Sequence, residues 1–277
     1  MNQKIPLLKA WAKYQIGFGN NGPFSKNLIY WAYHLYCQHH FSVNSKIDDE
    51  IKVSYKKHGY YFMAPTADSL STLKLLPPNY CEDRLNDTAW SEKFPFVKNH
   101  IFNAQEFEVV SCLLDKETRN IIRSIYDANF LVLSARTYRF VPSNEFVPRS
   151  TWLWHCDDHP DCMIKLFFYL NDTSRKNSAL QAHPLSSSMK IKRGGFFDRR
   201  NVPSALQDQL DDKTRFLDLE GKRGTRIFFN DNMIHRAVLP QEGQRDVIVF
   251  EIIPSKYDRI RYKGFNPSKH WENPFLL

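Results

Sequence analysis

From residue 130 onward the chain breaks into short runs of β-branched and aromatic residues, at 131–141, 151–157, 163–170, 179–182, 225–229, 235–239 and 247–253. Asn, Asp, Gly and Pro fill the gaps between them, and these residues favour turns over strand interiors. Runs this short and this regularly punctuated indicate an antiparallel barrel or jelly roll. The expected fold is therefore mainly β with flanking helices, and the 277 residues suffice for one large domain with a well-buried core.

The flanking helices read from periodicity. Residues 1–60 form an expected N-terminal helical cap. Within it, Leu28, Ile29, Trp31, Ala32, Leu35 and Tyr36 recur at helical spacings over 25–39, with Ser25 as N-cap, and a second helix is expected over 48–57. His58-Gly59-Tyr60 then reads as a glycine cap leading into a strand. The stretch 64–105, rich in Pro, Asp, Asn and Ser, carries little periodicity and is expected as long loops, of the kind that form lids. Asp115 is placed to cap a helix over 116–126 that has Ile121, Ile122 and Ile125 on one face, and a short helix is expected at 203–210.

Composition narrows the partners. Lys and Arg number 38 against 30 Asp and Glu, a net charge of +8 that favours an anionic small molecule. The excess is spread along the chain with no basic run of five, so nucleic acid is the less favoured partner. The five cysteines are odd in number and lack a CxxC pair, which points to a reducing, cytoplasmic setting rather than a disulfide framework. No apolar run approaches the ~20 residues of a membrane helix.

The chemistry concentrates in Trp154-His155-Cys156-Asp157. Side chains two residues apart on a strand share a face, so His155 and Asp157 aim at one point while Trp152, Trp154 and Cys156 turn to the other side as packing. His235, opening a later strand, can complete a two-His-one-carboxylate set that leaves iron positions open. A histidine on a strand can equally be a satisfied structural residue. Arg245 opens the next strand, expected to pair with the one carrying His235, and its planar fork suits a carboxylate. The bland alternative for Arg245 is a surface ion pair with Asp246 or Glu251.

Taken with Ile164-Lys165-Leu166-Phe167-Phe168-Tyr169-Leu170-Asn171-Asp172, the run from Gly224 to His235 and the run from Arg245 to Ser255, this segment resembles the phytanoyl-CoA dioxygenase family of Fe(II) and 2-oxoglutarate oxygenases. The resemblance spans about residues 130–255. It implies a double-stranded β-helix core of the jelly-roll, cupin-like kind, with Fe(II) held by His155, Asp157 and His235 as the catalytic centre. It also implies 2-oxoglutarate anchored by Arg245, O2 as co-substrate, and hydroxylation of an unactivated C–H of a small metabolite as 2-oxoglutarate is decarboxylated to succinate. Desaturation or oxidative cyclisation would use the same residues. The chain departs from the family at Asn177–Gln181 and His183–Ser186, where the usual Asn-Gly-Pro turn and Pro-Gly-Ser-His-like segment are reshaped.

Around that centre, Tyr138 and Gln181 are candidate cofactor contacts, and Arg139, Lys165, Asp158, His159 and Arg193 candidate substrate contacts. Each has a plainer reading: packing for Tyr138, solvation for Lys165, a turn for Asp158 and His159, and a solvated basic loop for Lys190, Lys192, Arg193, Arg199 and Arg200. Two rival functions stay open. One is an oxygenase acting on a macromolecule, although Glu251 stands where DNA-repair relatives carry a second Arg; the other is a non-oxidative metal-binding protein holding zinc on the same barrel.

Overall fold

The structure, a computed structural model, describes residues 23–41, 49–77, 79–89, 96–144, 150–157, 159–193, 210–211, 216–257, 260–264 and 274–276. Its centre is a six-stranded antiparallel sheet built from β1 (Tyr60–Met63), β2 (Val97–Ile101), β3 (Asn129–Phe140), β4 (Ile164–Tyr169), β7 (Arg226–Asn230) and β9 (Arg245–Ser255), in the order β1-β7-β4-β9-β3-β2. A smaller sheet of β6 (Leu217–Leu219), β5 (Leu180–Ala182) and β8 (His235–Arg236), in the order β6-β5-β8, lies against it. This is the double-stranded β-helix expected from the sequence.

Strand alternation divides the large sheet into two faces. Ile164, Leu166, Phe168, Phe228, Ile248, Phe250 and Ile252 point to one side and pack with helical residues such as Ile121, Ile122 and Tyr126. Tyr169, Ile227, Phe229, Val247 and Val249 point to the other and pack with Leu180, Ala182 and Leu219 of the small sheet. Each side chain removed from water this way contributes roughly 1.5–3 kcal/mol. The second face, enclosed between the sheets, is the one that lines the site.

The helices are α1 (Pro23–His39), α2 (Asp49–His58), α3 (Ala67–Leu73), α4 (Tyr80–Asp87), α5 (Ala104–Val110), α6 (Lys116–Tyr126) and α7 (Leu185–Arg193). Helix α6 begins as its sequence demands, with the Asp115 carboxylate accepting from the Thr118 N–H at 2.8 Å. That carboxylate also binds the fully buried Arg226 guanidinium at 2.8 Å, which ties α6 to β7. Helix α1 begins at Pro23, so Ser25 lies inside its first turn rather than capping it.

Three expectations need correction. Residues 64–105 are not long loops: they hold α3, α4, the edge strand β2 and the start of α5. Two of these helices start with capping boxes, Thr66 with Ser69 and Asn103 with Glu106, whose short polar residues read as loop composition. Residues 151–157 are not a full strand, because Ser150–Trp152 make a 3-10 turn and only His155 bridges a neighbour, His235. Strand β9 pairs with β3 and β4, while β8 pairs with β5, so Arg245 and His235 reach the site from different sheets. The helix expected at 203–210 lies outside the described residues except Leu210. No described helix is long and apolar enough to cross a membrane.

Candidate metal centre

His155 and His235 face each other across a single antiparallel bridge, exchanging backbone bonds of 3.0 and 2.8 Å. Their rings lie 4.3 Å apart, centroid to centroid. Both use the same orienting device. Nδ1 of His155 bonds the Leu153 carbonyl and Nδ1 of His235 the Met233 carbonyl, each at 2.8 Å. A carbonyl can only accept, so each Nδ1 carries the proton and each Nε2 is left with its lone pair toward the centre. Asp157 closes the triangle, with its two oxygens 3.5 Å from the two Nε2 atoms.

All three are largely enclosed, and for His155 and Asp157 this bears on the charge state. Burial, and then the neighbouring His235, lower the His155 pKa and favour the neutral ring a metal requires. Burial alone would raise the Asp157 carboxyl; the Lys165 ammonium reverses this and holds it well below the usual carboxylate range. Two imidazoles with Nε2 turned inward and one carboxylate, with ligand atoms within 4.8 Å of one another, are therefore arranged as a facial ligand set.

The loop carrying His235 is held from several sides. Its Ile234 N–H donates to Ser188 Oγ of α7 at 2.9 Å, and the His183 N–H donates to the Ile234 carbonyl at 2.8 Å. Gly59, at φ +84, comes so close to Met233 that an added Cβ would lie 2.6 Å from its sulfur. Thus α7, which stands where the sequence suggested only a reshaped loop, fixes a ligand.

Arg245 lies on the enclosed face, 3% exposed, its guanidinium stacked 4.2 Å from the Phe140 ring and donating to the Ser178 carbonyl. Its Nε has no partner. Among the described residues no carboxylate pairs with it, because Asp246 is taken by Arg139 in a bidentate pair of 2.8 and 2.6 Å and Glu251 by Arg136 at 2.9 Å. The surface ion-pair reading of Arg245 is thereby excluded. Burial without a counter-ion lowers its pKa to about 10.

The other candidates divide by register. Tyr138 shares the enclosed face with Phe140 and Arg245, its ring stacked on Phe140 and its hydroxyl accepting from Arg136 at 3.3 Å. Lys165 also points inward and is no solvated lysine: its Nζ bonds Asp157 and lies 2.9 Å from Asp231. His159 bonds the other Asp231 oxygen. Two assignments are corrected. Gln181 pairs in register with Arg236, on the face opposite His235, and its amide is occupied by Arg236 and Asp218. Arg139 alternates to the far side of β3, paired with Asp246. Asp158 and the Arg193 side chain lie outside the described residues.

Sequence reading missed Asp231, which sits in the polar turn before His235 and takes both Lys165 and His159. Asp157, His159 and Asp231 form a second donor cluster, and the Lys165 ammonium lies on two of its carboxylates.

No protein-family model matches the chain, and no curated protein matches it in sequence. Solved structures do. It is similar to EctD from S. alaskensis with bound Fe, at 16% identity over 77% of this chain and 79% of that one, TM-score 0.55. HygX from Streptomyces hygroscopicus, with nickel, 2-oxoglutarate and hygromycin B bound, aligns at 15% identity over 74% and 87% of the two chains, TM-score 0.54. SnoK, a non-heme alpha-ketoglutarate-dependent carbocyclase from nogalamycin biosynthesis, aligns at 14% over 76% and 85%, TM-score 0.55. At these identities the likeness is one of fold, and the double-stranded β-helix of this chain is the fold it shares with them.

Proposed function

We propose that the protein is an Fe(II)- and 2-oxoglutarate-dependent oxygenase of a small-molecule metabolite. The observation that carries this is Arg245, a buried guanidinium to which the described residues offer no carboxylate, on the enclosed face of the sheet that also carries Lys165 beside Asp157. A buried cation unpaired by its own chain is costly unless a ligand supplies the anion. The placement suits a diacid. Arg245 contacts Ser178, just before β5, while Ala182 at the end of that strand pairs with His235, so the guanidinium and the metal ligands stand near opposite ends of β5.

The same three ligands could hold zinc, but a hydrolytic or structural zinc site gives Arg245 no task. Iron with 2-oxoglutarate, when bound, would use O2 to supply an oxidant strong enough for an unactivated C–H bond. The chain's own part is positional. His155 and His235 present Nε2 because the Leu153 and Met233 carbonyls hold Nδ1–H. Asp157 stays anionic beside Lys165, and Phe140, Phe229, Val247 and Val249 wall the space from water. HygX and EctD have hygromycin B and 5-hydroxyectoine in their structures, which supports a small-molecule substrate here. Hydroxylation is the simplest outcome; SnoK, a carbocyclase on the same fold, illustrates why substrate placement rather than the ligand set would decide.

Calorimetric titration of Ni(II)-loaded protein with 2-oxoglutarate tests the anchor. Arg245→Met is expected to weaken 2-oxoglutarate by roughly 30-fold or more, a loss of about 2 kcal/mol, and to leave nickel binding intact. Unchanged 2-oxoglutarate affinity would remove Arg245 from the site.

A further inference from the structure

Lys165 is unusual among the charged residues of the site because it touches a metal ligand rather than open space. It leaves β4 on the enclosed face, in register with Phe229 on one side and Glu251 on the other. Its side chain is 12% exposed, and its ammonium joins Asp157 Oδ2 to Asp231 Oδ1. Asp231 is itself 1% exposed and is fixed from its other oxygen by His159. The ammonium is therefore clamped, and it engages the Asp157 oxygen that also faces His235 Nε2 at 3.5 Å, leaving Oδ1 toward His155 Nε2 without a cation among the described residues.

That matters for the number of positions left on the metal. An aspartate with both oxygens available can bind an ion through one or both. If both oxygens ligate, one of the positions needed by a chelating 2-oxo acid and by O2 is lost. We infer that Lys165 is a positioning residue whose ammonium competes with the metal for Oδ2 of Asp157, the oxygen 3.5 Å from His235 Nε2, so that the carboxylate ligates through Oδ1 alone and the positions for 2-oxoglutarate stay open. The inference rests on the oxygenase reading above. Lys165 touches neither substrate nor co-substrate in this role; Asp231 and His159 act one step further out, as its anchor.

The expected signature is a split between two affinities. In Lys165→Met, Ni(II) should bind as tightly as in the wild type or more tightly, because Asp157 gains a free oxygen. 2-Oxoglutarate should bind the nickel-loaded variant at least tenfold more weakly. Both are read by calorimetry and need no turnover. Loss of both affinities together would mark Lys165 as a merely structural ion-pair partner and overturn the inference, as would an unchanged 2-oxoglutarate affinity. Should Lys165→Met fail to fold because Asp231 is left unpaired, Lys165→Met with Asp231→Asn removes both charges, and the same split is required of it. A wild-type protein that takes up neither Ni(II) nor 2-oxoglutarate would sink the oxygenase reading itself, a result distinct from a wild type that binds both and a variant that does not show the split.

Discussion

At His155 and His235 the ring is aimed by a backbone carbonyl two residues back, so ligand geometry depends on where the chain runs as much as on which residues are histidine. Gly59 tests this from a distance. Its left-handed backbone and its approach to Met233 and Leu185 leave no room for a Cβ. Gly59→Ala should destabilise the fold by about 2 kcal/mol, from backbone strain plus overlap. By shifting Met233 it should also weaken Ni(II) binding about tenfold. Chemical denaturation and metal titration measure the two effects, and full metal affinity in a destabilised protein would detach His235 from this contact. His155, Asp157, His235 and Arg245 were singled out by residue type and spacing together with the family resemblance, and the structure brings the first three within 4.8 Å of one another and buries Arg245 on the enclosed face. Lys165, Gln181 and Arg139 were not readable in the same way. Their roles depend on which face of a strand they occupy and on partners such as Asp231, Arg236 and Asp246 that lie far off in the chain.

Elements were legible where one pattern dominated. Helix α6, with its aspartate cap and isoleucine face, and the long strands β3, β4 and β9 fall where alternation and periodicity put them. The helices of 64–105 were hidden because each is at most eight residues and draws its stability from capping and tertiary contact rather than a repeating apolar stripe. Two outcomes belong to this scale. Asp115 both caps α6 and neutralises Arg226, which is 0% exposed. Asp115→Ala should therefore cost about 3 kcal/mol or more in urea denaturation, well beyond a lost cap alone; a loss near 1 kcal/mol would show that Arg226 finds other compensation. The contact of α1 with α6 should be acid-sensitive. His34 Nε2 bonds the Tyr126 carbonyl at 2.7 Å, and burial lowers its pKa below the ordinary 6.5. An unfolded chain then binds the proton more readily than the folded one, so stability present above pH 6.5 is lost as pH falls from there through the folded value. His34→Gln should flatten that part of the pH–stability curve, and an unchanged slope would assign it to other groups.

Across the whole molecule the two faces of the large sheet divide the work. One carries the helices over a largely apolar surface crossed by the Arg226–Asp115 and Arg139–Asp246 pairs; the other holds Lys165 with Asp231 and Arg136 with Glu251, and Arg245 with no carboxylate among the described residues. The all-β core was legible because an antiparallel barrel or jelly roll shows as many short strands with turn residues between them, and the chain supplies both; the double-stranded β-helix in particular came from the family resemblance. The small sheet was harder, since β6 and β8 are three and two residues long and exist through pairing with β5. The net charge of +8 says nothing of which face it serves. The proposed function requires metal and 2-oxoglutarate to meet in this space. Anaerobic addition of 2-oxoglutarate to Fe(II)-loaded protein measures that meeting directly. The expected result is a metal-to-ligand charge-transfer absorption in the visible, saturating with 2-oxoglutarate and absent in Asp157→Ala. A spectrum that stays featureless while Fe(II) is demonstrably bound would contradict it.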